Sequence, residues 1–124
     1  MHQPLYTCID PLVLYDEAGR DLAFFVSLSR TFLDIAPPMF DRLERAILAD
    51  ARVTVIHESH SLRGSAALVG ARQLSNLLQE MEQLARQNSE TSFISHLPEL
   101  TRLFTLVLRE VQLSITHFRG TPTA

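Results

Sequence analysis

Two histidines stand three residues apart in His57-Glu58-Ser59-His60, and an arginine and a glycine follow at Arg63 and Gly64. A neutral imidazole offers a lone pair near neutral pH, because its reference pKa is about 6.5. Each histidine is therefore a candidate nucleophile, general base or metal ligand. Arg63 adds a fixed positive charge suited to a phosphate or an acidic patch. Gly64 needs a reason, since glycine inside a helix costs about 1 kcal/mol relative to alanine. On a helical wheel of about 100° per residue, Arg63, Gly64, Ala67 and Ala71 gather around His60, while Val55, Ser59, Leu62, Ala66 and Val69 fall opposite. The opposite side is the expected core face. The near side is a low surface of small residues, on which Gly64 leaves room for another molecule to reach the ring. His57 lies to one side as a rim residue, and Ile56 and Leu68 are the apolar candidates for docking on this face.

A metal site on His57 and His60 is not expected. Zinc usually takes more protein ligands and a supporting shell. No cysteine joins the pair, Glu58 points away on the wheel, and His2, His96 and His117 lie elsewhere in the chain. Cys8 is a lone thiol without a diagnostic motif, so it offers no disulfide framework and suggests a reducing compartment.

The elements that must hold this face are helical. The first segment starts near Asp21 and places Leu22, Phe25, Ser29, Phe32, Ala36, Met39, Leu43 and Ala46 in phase, with Phe24, Leu28, Leu33, Phe40 and Ile47 widening the stripe. The phase survives Pro37-Pro38, although each interior proline costs about 3 kcal/mol, so one kinked helix is favoured over two. Asp50 is the expected N-cap of a second helix over 52–69, ended by Gly70. Within it Ser59 is expected inside, and Ser65, between the two faces, is expected to bond to the helix backbone. A third helix over 71–87 buries Leu74, Leu77, Leu78, Met81, Leu84 and Ala85. A polar loop at 88–92 leads to a fourth that carries Phe93, Leu97, Leu100, Phe104, Leu108, Val111, Ile115 and Phe118. Pro98 fits its first turn. A short capping helix over Ile9–Tyr15 precedes all four. The charged residues Arg42, Glu44, Arg45, Glu80, Glu82 and Arg86 read as solvated faces. The expected fold is an all-α, antiparallel up-down-up-down four-helix bundle with a short N-terminal capping helix. Its expected organisation is an N-terminal segment 1–20, a bundle 21–118 and a flexible tail 119–124.

The run from His60 to Ala71, HSLRGSAALVGA, resembles the signature of histidine-containing phosphotransfer (HPt) domains, H-x-[LI]-K-G-[SA]-[SA]-x-x-[LIV]-G-A. Leu62, Gly64, Ser65-Ala66 and Gly70-Ala71 fall on its fixed positions. Met81-Glu82-Gln83-Leu84-Ala85-Arg86 is similar to the family's L-E-x-x-A-R pattern, and Phe32 to Ala46 is similar to its helix of spaced leucines with an embedded proline. The resemblance runs from Ile9 to Phe118. It departs at Arg63, where lysine is usual, and at Leu68, where a polar or small residue is usual. It implies that His60 accepts a phosphoryl group on Nε2 from a receiver-domain aspartyl phosphate and passes it to a response-regulator aspartate. Arg63, Gly64, Ala67, Leu68, Ala71, Ile56 and His57 would then meet the phosphate or the partner. The implied cofactor is none of the chain's own, with Mg²⁺ supplied by the receiver. The implied partners are response-regulator receiver domains and a hybrid sensor histidine kinase, with the domain monomeric and cytoplasmic, or part of the cytoplasmic end of a membrane-bound sensor. The alternatives are the phosphoacceptor domain of a chemotaxis-type kinase, which usually has an aromatic at the place of Ala71, and a helical docking module that is never phosphorylated.

Composition bears on the other classes. With 11 basic and 14 acidic residues the net charge is −3, which argues against a general nucleic-acid binder. At 46% hydrophobic and 20% charged, the 124 residues can bury one core. No signal peptide or membrane span is expected. No glycine-rich nucleotide motif suggests an autonomous kinase, and no alternation of strands and helices suggests a receiver.

Overall fold

The computed structural model describes residues 6–87 and 93–120. Five α-helices follow in order: α1 (Pro11–Glu17), α2 (Leu22–Leu48), α3 (Arg52–Leu68), α4 (Arg72–Arg86) and α5 (Leu97–Gly120), with a 3₁₀ turn at Phe93–His96 ahead of α5. Among the described residues there is no strand. The β-branched run Val53-Thr54-Val55-Ile56 forms the opening turns of α3, because Val55 is needed in the core at helical phase. The long helices close into a ring in which α3 packs on α2 and α4, and α5 on α2 and α4, with α1 laid against α2. This is the expected bundle with its capping helix, although that helix starts at Pro11 behind an Asp10 cap rather than at Ile9.

The core follows the apolar phase. Phe25, Phe32, Ala36, Phe40, Leu43, Ala46 and Ile47 of α2 are buried, so the stripe crosses Pro37-Pro38 inside one continuous helix. Two backbone donors are lost there, but the phenylalanines on either side are held by burial worth about 1.5–3 kcal/mol each. Phe40 stacks on Phe104 of α5 with centroids 4.4 Å apart, and Phe25 stacks on Phe118 at 4.6 Å. Leu22 and Phe24 are exposed, contrary to expectation, because Asp21 caps α2 through the Phe24 amide and the ring is entered only at Phe25. Leu77, Leu84, Leu97, Leu108 and Phe118 are half-buried at the margins of the core. Phe93 is buried from the 3₁₀ turn rather than from the fourth long helix. That helix continues through Gly120, beyond the point where a tail is expected. The expected loop at 88–92 lies outside the described residues, as do His2 and residues 121–124.

Two tight corners fix α3. Asp50 is not its N-cap; it takes φ 51° at the end of α2, where the Ala51 amide donates back to the Ala46 carbonyl at 2.9 Å. Aspartate tolerates this left-handed conformation better than most residues, and Ala51 takes the cap position without a side-chain bond. Gly70 does the same after α3, at φ 70°, with the Ala71 amide donating to Ala66 at 2.9 Å. The N-terminal segment passes so close to Gly70 that a Cβ there would lie 2.5 Å from the Asp10 carbonyl oxygen, and the Asp10 amide donates to the Gly70 carbonyl at 3.0 Å.

That segment is also tied to α5. Both Glu110 oxygens accept, one from the Cys8 and Ile9 amides at 2.8 and 3.1 Å, and the Thr7 amide and hydroxyl reach the carboxylate at 3.0 Å each. Cys8 is buried under this clamp. No helix among the described residues is long and apolar enough to cross a membrane.

Candidate functional site

The site lies on α3 and the end of α4. Val55, Ser59, Leu62 and Ala66 point into the core, which turns His60 outward with a side chain 65% exposed. Arg52 at the start of α3 donates to the Leu84 and Ala85 carbonyls at 3.3 and 3.2 Å, so it satisfies the end of α4 and holds the two helices side by side. Arg42 of α2 reaches Glu58 at 3.3 Å on the other flank. Ser65 faces Met39 Sδ at 4.0 Å instead of its own backbone, and the Ser59 hydroxyl is buried.

Glu82 of α4 organises the centre. Its side chain is 9% exposed, and it is not the solvated charge that the sequence suggests. Oε2 accepts from Arg86 Nε and Nη2 at 3.2 and 3.0 Å. Oε1 lies 3.2 Å from Arg63 Nη2 and 3.4 Å from His60 Nδ1. Burial pushes the carboxyl pKa up, but the bonds from Arg86, the adjoining His60 ring and the positive charge of Arg63 outweigh it and hold the group below the usual carboxylate range. Arg63 Nη2 also lies 3.1 Å from His60 Nδ1. Nδ1 is thus turned inward onto Arg63 and Glu82. Among the described residues, no group bonds Nε2, which is left on the solvent side.

The expected site residues separate into three groups. His57, Gly64, Ala67 and Leu68 are exposed on the His60 side, and a Cβ at Gly64 would meet nothing within 4 Å. Arg63 is half-buried, with its charge engaged by Glu82 rather than free for a ligand. Ile56 is half-buried against the core, and Ala71 is fully buried. The wheel misplaces Ala71 because α3 stops at Leu68 and Gly70 reverses the chain, so helical phase no longer carries past that corner. Glu82 is the residue that sequence reasoning missed. Its signal was its register: it sits between Leu78 and Ala85 on the stripe that α4 buries, where a charge needs a partner. No group of three or more His, Cys, Asp or Glu among the described residues could hold a metal.

A family model described as the Hpt domain matches residues 27–112, which take in all of α3 and α4. The histidine-containing phosphotransfer protein B (HptB) of Pseudomonas aeruginosa PAO1 has a crystal structure that superposes with a TM-score of 0.80, covering 90% of this chain and 97% of that one at 21% identity. At that identity the likeness is one of fold. No curated protein matches the chain in sequence.

Proposed function

This chain belongs to the Hpt domain family, whose role is histidine phosphotransfer, and from that premise we propose that His60 is the phosphoacceptor of a phosphorelay. It takes the group from an aspartyl phosphate on a receiver domain and gives it to a response-regulator aspartate. The observation that carries this reading is the exposed His60, with Nδ1 facing a buried carboxylate and Nε2 facing solvent. In-line attack needs an open nucleophile and charge neutralisation around phosphorus. The Nε2 lone pair forms the N–P bond, the P–O bond to the receiver aspartate breaks, and its carboxylate leaves. The ring then carries positive charge with a proton on Nδ1, where Glu82 is placed to balance it. Transfer onward reverses these changes.

Gly64, Ala67 and Leu68 form the exposed surface on which the receiver would sit, with His57 at the rim. Mg²⁺ would come from the receiver, because charge at the attacked phosphorus must be met on the donor side as well. Ala71 and Ile56 support this surface from beneath rather than touching a partner. We assign a hybrid sensor histidine kinase as the upstream partner class, a cytoplasmic location and a monomeric carrier on the same reading.

The test is transfer from a panel of phosphorylated receivers with Mg²⁺. Label should appear on the wild type and on His57→Gln and be lost on His60→Gln. Receivers that bind the domain across the panel without labelling it would overturn the carrier reading in favour of a docking module.

A further inference from the structure

Two groups compete for one nitrogen. Arginine donates only and an ionised carboxylate accepts only. The 3.1 Å contact of Arg63 Nη2 with His60 Nδ1 is a hydrogen bond only when Nδ1 bears its lone pair, which places the ring proton on Nε2. The 3.4 Å contact with Glu82 Oε1 is one only when Nδ1 bears the proton, which leaves Nε2 with the lone pair. These states exclude each other, and only the second has a nucleophile pointing outward. At rest the arginine contact is the shorter.

We infer that Arg63 is a positioning residue that holds His60 in the non-nucleophilic tautomer until an anionic partner draws the guanidinium away. The inference deepens the phosphoacceptor reading and rests on it. The surroundings suit such a handover. Glu82 Oε2 stays occupied by both Arg86 nitrogens, so the carboxylate keeps its place when Arg63 leaves. Oε1 is then open to Nδ1–H alone. Arg63 Nε is buried without a hydrogen-bond partner, so the resting pose leaves one donor of this side chain unsatisfied. Movement onto the oxygens of an aspartyl phosphate lets the guanidinium use its donors on a group that needs charge neutralised. The same motion frees the Nε2 lone pair, with the ring proton moving from Nε2 to Nδ1 through solvent. Attack is thereby coupled to the arrival of phosphate.

The test needs no phosphoryl group. In uniformly ¹⁵N-labelled protein, raised to a pH at which the ring-nitrogen shifts no longer move, the two ring nitrogens of His60 report the tautomer. His57, exposed one turn earlier, is the internal reference. His60 should favour Nε2–H more strongly than His57 does. Arg63→Met removes the donor and should lower the Nε2–H to Nδ1–H ratio of His60 roughly tenfold, about the worth of one good hydrogen bond. Glu82→Gln in the Arg63→Met background should restore part of the Nε2–H form. A His60 ratio equal to that of His57 and unmoved by Arg63→Met would overturn the inference, whether or not His60 is later found to carry phosphate.

Discussion

Two glutamates interrupt buried stripes of this bundle, and they are satisfied in opposite ways. Glu110 of α5 is held by backbone: the Thr7, Cys8 and Ile9 amides converge on it from one chain segment. Glu82 of α4 is held by side chains: Arg63, Arg86 and His60 converge on it from two helices. Amides fixed in a packed segment cannot turn elsewhere when their acceptor goes. Arginines that are 30% and 60% exposed can turn to water or to a ligand. Glu110 therefore belongs to the stability of the fold, and Glu82 to the adjustable chemistry beside His60.

The comparison breaks most visibly at Glu110. Glu110→Ala strands the buried Cys8 and Ile9 amides and should cost about 3 kcal/mol, near 10 °C in melting temperature. Thermal unfolding reads the loss, and phosphotransfer at a temperature where the variant is folded should be little changed. Gly70→Ala comes next, at about 2 kcal/mol or more, because left-handed backbone and a Cβ 2.5 Å from the Asp10 oxygen act together. Urea unfolding would show it as a lower midpoint with an unchanged slope. Glu82→Gln should cost only about 1 kcal/mol, since its partners regain water, but should slow transfer to and from His60 roughly tenfold. Equal stability losses at Glu82 and Glu110 would remove the distinction.

Gly64 sharpens the same division with a change of sign. Gly64→Ala meets nothing inside the protein and should stabilise the helix by up to about 1 kcal/mol while weakening receiver docking. Parallel melting and binding titrations would show the two effects parting. The smallest effect is one of pH. The Glu82 pKa is lowered by folding, so its contribution is present above the ordinary glutamate value of about 4.3 and is lost as pH falls through the lower folded value. Acid unfolding of Glu82→Gln should show a shallower dependence over that window.

Much of this was legible in the sequence. Helical phase located the four long helices, the core side of α3 and the outward face of His60, because each depends only on residues a turn or two apart. The failures sit where a second element decides. The sequence points to Asp50 as a cap, whereas the bond from Ala51 to Ala46 makes it the left-handed end of α2. Ala71 shares the wheel angle of His60 but lies past the Gly70 reversal. Glu82 and Arg86 read as a solvated pair, since the sequence does not show that Arg63 of another helix lies across from them. Charged residues in the phase of a buried stripe, as at positions 82 and 110, were the readable warning.

On the proposed mechanism, the nitrogen turned away from Glu82 carries the phosphoryl group. The direct measurement is ¹⁵N and ³¹P NMR of the phosphorylated, ¹⁵N-labelled domain, in which phosphorus–nitrogen coupling names the bonded atom. The expected result is coupling to Nε2 of His60, with Nδ1 protonated beside Glu82. Coupling to Nδ1 of His60, or to His57, would contradict it.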